Sequence, residues 1–190
     1  MRYKNVSYLD DAILDLQIKN PLCIGVYKGE TTSYLFLGEN AKQYENVTLI
    51  DPYIPGNDIS VSNTPNPRDI SRRYPHLDTV NRDVLIQTVR NQIITDNVNF
   101  IIDKAENVDY TKLKYDIVIQ SYVDLHNIDL YKELVIDIIK NTKYICFEAF
   151  SSSRNCKGLF NIVNELIEEQ CLIKLKTVYS KSVPCLLCKV

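Results

Sequence analysis

The residues with chemical potential fall in four places. Asp51 follows the apolar run Val47-Thr48-Leu49-Ile50 and precedes Pro52. A carboxylate just past a strand can accept hydrogen bonds from two neighbouring hydroxyls. Strand, Asp, Pro and turn is also how many strands stop, so both readings stay open. Arg68, Arg72, Arg73 and Tyr74 sit together in Arg68-Asp69-Ile70-Ser71-Arg72-Arg73-Tyr74-Pro75-His76. These residue types grip phosphates and stack a base. Asp69 and Asp78 offset the charge, and a solvated loop is the plainer reading, for His76 as well. Tyr122, Asp124 and His126 follow the run Ile117 to Gln120, where a polar loop leading into a helix is the plainer reading. No Ser-His-Asp spacing, phosphate-binding loop or dinucleotide fingerprint is present.

The fourth place is Cys185-Leu186-Leu187-Cys188. A zinc or redox pair belongs on a turn or helix start, where both sulfurs face one point. Here the spacing lies in a strand-like run, and period two sends the sulfurs to opposite faces. No second such pair and no nearby His completes a ligand set, so no metal site is expected. The six cysteines read as reduced thiols of an intracellular, cytoplasmic protein.

These residues need a scaffold, and 190 residues are enough for one domain with a sizeable core. Hydrophobic residues are 45% and charged residues 24%, which sets aside the disordered and fibrous classes. A net charge of −2 gives no global field toward nucleic acid, so any such contact is a local patch. The longest apolar runs are about half the ~20 residues a membrane span needs, and the first residues run into charged sequence without a signal-peptide core. The protein is therefore expected to be neither secreted nor membrane-bound. The chain holds 22 Ile and 17 Asn against 4 Ala, the bias of an AT-rich genome such as a large DNA virus or a low-GC bacterium.

Periodicity predicts a helix over 7–20, capped by Ser7, then strands over 22–27 and 33–38 and another over 47–50. Residues 52–79 hold five of the seven prolines and no apolar period, so they read as one long loop. Val80, Val84, Leu85, Val89 and Ile93 line one face of the next helix. Strands over 98–102, 115–120 and 144–150 then alternate with helices over 128–140 and 158–169, and two strands, 171–179 and 183–190, close the chain. This is an α/β fold: one mostly parallel sheet, helices on both faces, and a C-terminal antiparallel hairpin. Residues 1–32 read as an N-terminal extension of the single domain.

The order of segments resembles the class I methyltransferases that use S-adenosylmethionine (SAM), a Rossmann-like fold. Tyr34 to Ala41 is similar to the family's first strand and glycine loop, Leu49-Ile50-Asp51 to the second strand with its ribose-binding acid, and 99–107 to the segment at the adenine edge. Tyr115-Asp116-Ile117-Val118-Ile119-Gln120 resembles the fourth strand, 144–150 the fifth and 171–190 the terminal pair. The resemblance implies SAM contacts at Gly38, Asp51, Asp103 and Gln120. The terminal segment is most similar to the RNA ribose 2′-O-methyltransferases; contact with RNA through the 66–76 loop rests on that loop's own arginines and tyrosine.

Several positions depart from that family. The first loop carries only Gly38, about eight residues before the next strand, too few for a crossover helix. Lys104 aligns with the adenine acid, with Asp103 one place off. The subgroup's Lys-Asp-Lys-Glu tetrad falls on Gln120 or Ser121, on Glu148, and on Val183 or Pro184 in its last three positions, and none matches. The expectation is a degenerate, catalytically silent domain that binds SAM weakly or not at all. It would serve a protein partner in viral RNA processing. The alternatives are an active SAM-dependent RNA methyltransferase and an unrelated α/β interaction module.

Overall fold

A computed structural model describes residues 8–26, 42–51, 82–92, 97–120, 128–148, 150, 157–180 and 183–190. Helix α1 (Leu9–Asp15) leads into β1 (Pro21–Ile24), then β2 (Val47–Ile50), α2 (Arg82–Gln92) and β3 (Val98–Ile101). Two 3₁₀ turns, Ala105–Asn107 and Tyr110–Lys112, precede β4 (Ile117–Gln120). The rest is α3 (Ile128–Ile139), β5 (Tyr144–Glu148), α4 (Lys157–Glu168), β6 (Ile173–Ser180) and β7 (Val183–Lys189).

The seven strands form one sheet in the order β3-β2-β1-β4-β5-β7-β6. The first five are parallel, and β7 lies antiparallel between β5 and β6. The expected fold class is therefore the one observed. One expected strand is displaced, however. The position between β2 and β4, which the resemblance gave to residues 34–38, is filled by Pro21–Ile24. The supposed N-terminal extension thus contributes the central strand. The crossover from β1 to β2 then spans 25–46, long enough for a helical connection, which removes the objection of a crossover too short to be built.

Side chains alternate between two cores. Cys23, Leu49, Ile119 and Cys146 face α1 and α2, through Leu9, Ala12, Ile13, Ile86 and Val89. Leu22, Ile50, Val118 and Phe147 face α3 and α4. On α4 the buried positions Leu159, Ile162, Val163 and Leu166 repeat at helical spacing, each contributing roughly 1.5–3 kcal/mol. Helix α2 buries Ile86 and Val89 but leaves Val84 57% exposed, so its stripe is rotated from the one the sequence suggests. Helix α1 starts at N-cap Tyr8, with no side-chain cap. The proposed cap Ser7 lies outside the described residues, as does the whole 52–79 loop. Cys185 and Cys188 do face opposite cores.

The strand starts are tied by one carboxylate. Asp116 Oδ2 accepts hydrogen bonds from the Lys19 amide (3.0 Å), the Asn20 amide (2.9 Å) and Asn20 Nδ2 (3.1 Å). Asn20 Oδ1 in turn accepts from Asn46 Nδ2 at 3.1 Å. The Asp116 carbonyl accepts from the amides of Lys143 and Tyr144 and from Thr142 Oγ1. Residues just before β1, β2, β4 and β5 are thereby joined. Burial alone would raise the Asp116 carboxyl; the Asn20 and Lys19 donors outweigh it and hold the group below its ordinary value. The stability it supplies is present above the unfolded-state pKa and is lost as pH falls through the lower folded-state value. Asp116→Ala is expected to cost about 2 kcal/mol, lowering Tm by about 4–8 °C at pH 7. Thermal melts from pH 7 to pH 2 should show the difference from the parent protein shrinking in acid. A loss that does not change with pH would count against a charged knot.

Candidate functional site

In an open parallel sheet a ligand sits beyond the carboxyl ends of the strands, where strand order reverses. Here β2 and β3 lie on one side of β1, with β4 and β5 on the other, so the reversal falls between β1 and β4. Ile24 and Gln120 face each other across it. The ladder continues one residue past β1 and β2. Gly25 N donates to Ile50 O at 3.0 Å, and Asp51 N donates to Ile101 O at 3.2 Å. Gly25, Asp51 and the residues after β3 therefore stand side by side, at the strand spacing of about 4.8 Å.

Gly25 has φ 81°, in the left-handed region that a side chain disfavours. A Cβ there would also project from the strand end where a ligand must approach the backbone. This is the feature the sequence analysis missed. The run Pro-Leu-Cys-Ile, buried throughout and stopping at glycine, carried the signal. The apolar pattern by itself predicts a strand that continues through Gly25 to Tyr27, whereas β1 ends at Ile24. Gly38 lies outside the described residues.

The other expected cofactor contacts take these places. Asp51 is half-buried at the end of β2. Asp103 lies two residues past β3, and its Oδ1 accepts from Asn107 Nδ2 (2.8 Å) and the Lys104 amide (2.7 Å). Those donors, Asn107 first, hold its carboxyl below the ordinary value. Its visible work is to tie the segment after β3 to the Asn107 side chain. Gln120 ends β4 and is 2% exposed. Asp51 and Gln120 thus share one rim with Gly25, and Asp103 stands at its edge. Arg68, Arg72, Arg73, Tyr74, His76, Tyr122, Asp124 and His126 lie outside the described residues.

Glu148 ends β5 on the same rim and is 7% exposed. The sequence resemblance sets this position against a lysine of the ribose-methylating tetrad. Cys23 beneath is pushed up, by burial first and by the Glu148 carboxylate second, so it stays a thiol. Between the Ala105–Asn107 turn and α3 runs a groove of about 200 Å³ lined by Glu106, Val108, Tyr110, Glu133, Leu134 and Asp137. Its three carboxylates repel phosphate. Among the described residues no three His, Cys, Asp or Glu side chains are placed to hold a metal, and no helix is long and apolar enough to cross a membrane.

No family model and no curated protein matches the chain. Solved structures do. The S-adenosylhomocysteine-bound methyltransferase of Podospora anserina superposes with a TM-score of 0.56 at 15% identity, covering 95% of this chain and 75% of that one. A protein assigned as a caffeoyl-CoA O-methyltransferase from Staphylococcus aureus gives 0.58 at 14%, over 96% and 81%. The fibrillarin pre-rRNA processing protein of Methanococcus jannaschii gives 0.54 at 14%, over 91% and 66%. The fold is that of the SAM-dependent methyltransferases. Within that methyltransferase-like fold, the central strand is β1 and the glycine beyond it is Gly25.

Gly25→Ala is expected to lower stability by about 1–2 kcal/mol, the cost of a side chain in the left-handed region. Urea unfolding with an unchanged m-value would register it. An unchanged midpoint would mean that the backbone relaxes freely at this position.

Proposed function

We propose that this chain binds SAM across the ends of β1, β2 and β4 and is a SAM-dependent methyltransferase domain directed at RNA. The observation that carries the cofactor reading is Gly25, at φ 81° on the central strand beside Asp51. A cradle that a Cβ would fill, next to a carboxylate able to take two ribose hydroxyls, fits a nucleoside cofactor. Asp51 would orient the ribose, the Gly25 backbone would lie under the amino-acid portion, and Gln120 would close the floor. Asp103 would meet the purine edge only by giving up part of its bonding to Asn107 and the Lys104 amide. When bound, SAM supplies an electrophilic methyl group. The residues of this chain would hold an acceptor in line with it, which by itself is a large part of the rate enhancement.

For the acceptor, the likeness to a pre-rRNA processing protein and the Arg68, Arg72, Arg73 and Tyr74 segment support RNA. One observation favours a second reading, a catalytically silent subunit that binds or stimulates a protein partner in viral RNA processing. Glu148 stands where the ribose mechanism needs a lysine whose lowered pKa lets it act as base. A buried carboxylate does not make that base.

Calorimetric titration with SAM and S-adenosylhomocysteine is expected to give micromolar binding. Asp51→Ala should weaken it roughly 30-fold or more, through loss of two charge-assisted hydrogen bonds, with an unchanged circular dichroism spectrum. No heat up to millimolar ligand would end the cofactor reading. Binding without methyl transfer from labelled SAM to capped or uncapped RNA would favour the silent subunit.

A further inference from the structure

The Tyr131 side chain is 5% exposed, and its hydroxyl has no hydrogen-bond partner among the described residues. A buried hydroxyl without a partner is worse for stability than the plain ring of phenylalanine. Burial also pushes its ionisation far above the ordinary tyrosine value, so the group remains an O–H donor.

Its place in the fold indicates what it serves. The last turn of α3 lies over the strand starts, because Tyr115, just before β4, donates from its hydroxyl to Ile138 O at 3.1 Å. The first turn, with Tyr131, therefore lies at the opposite end, over the strand ends. There Tyr131 shares a buried cluster with Ile24 and Ile50, the last residues of β1 and β2. Ile101, Ala105, Val108 and Leu134 pack against that cluster as partly buried apolar residues. These belong to the end of β3, the turns that follow it, and α3. The wall on this side of Asp51 is therefore largely apolar; the Tyr110 and Tyr115 hydroxyls in the cluster are bonded to Ala105 O and Ile138 O, and among the described residues that of Tyr131 is not. A flat purine suits such a wall, and a charged amino-acid tail does not.

Building on the nucleoside reading above, we infer that the Tyr131 hydroxyl is a specificity-determining contact to the base of the bound nucleoside. The ligand completes the hydrogen bond that the described residues leave unmade.

The test is titration of the full chain and of Tyr131→Phe with S-adenosylhomocysteine and with 5′-methylthioadenosine, which lacks the amino-acid tail, alongside thermal melts without ligand. The expected result is roughly 10-fold weaker binding of both ligands, with a ligand-free Tm unchanged or raised by about 2–4 °C. Equal affinity in the variant overturns the inference and leaves the cofactor reading standing. Weakening confined to S-adenosylhomocysteine also overturns it, since the contact would then be to the tail. A Tm lowered by several degrees overturns it by making the hydroxyl structural. No binding to the parent protein overturns inference and cofactor reading together.

Discussion

The architecture depends on the hydrogen bonds that converge on Asp116 and Asn20. Four parallel strands of four or five residues have little ladder of their own, and their relative register must be set somewhere. Here it is set at their starts, where one carboxylate collects two backbone amides and a side-chain amide from the approach to β1. Its own carbonyl receives the approach to β5. Because the acceptor is charged and its donors are mostly fixed backbone groups, the geometry tolerates little variation.

What is fixed at the starts is delivered at the ends. Ile24 lies level with Ile50 and with Gln120, so Gly25 and Asp51 emerge together on either side of a shared hydrogen bond. A slip of one residue would turn Asp51 toward the other face and bury a carboxylate among α3 and α4 side chains. The rim chemistry is therefore a product of register, and register is a product of the knot some four residues below.

Much of this was legible in the sequence, and the exceptions have physical causes. Runs such as Ile117–Gln120 and Tyr144–Glu148 announce buried strands because both faces are covered and every residue is apolar or nearly so. Helix α4 and the closing hairpin were equally clear. The first strand was assigned wrongly because two neighbouring apolar runs compete, and the one with a glycine after Phe-Leu looked more like a strand and loop than Pro-Leu-Cys-Ile-Gly. Local pattern cannot say which run pairs with both β2 and β4. Asp116 was read as part of a strand motif, but its role as an acceptor depends on Asn20, nearly a hundred residues away. The position of Asp51 at the end of β2 is legible because strand and acid are adjacent in the chain. Tyr131 was invisible: a tyrosine on the inner face of a helix looks like core, and only the surroundings reveal that its hydroxyl is unmatched.

The position of β1 also bears on how the chain reaches this state. Of the described strands, the one made earliest ends in the middle of the sheet, with β2 on one side and β4, made long afterwards, on the other. Until residue 120 has emerged, Pro21–Ile24 can have only one of its two neighbours, and its other edge is an open row of backbone groups beside buried-type side chains. Closing that edge means joining segments about a hundred residues apart, a slow step for any polypeptide and one that exposes it to wrong partners. The short length of β1, and the proline at its first position, limit how much of that edge is available to a stray strand. A centre built from an early strand thus depends on later strands to cover it.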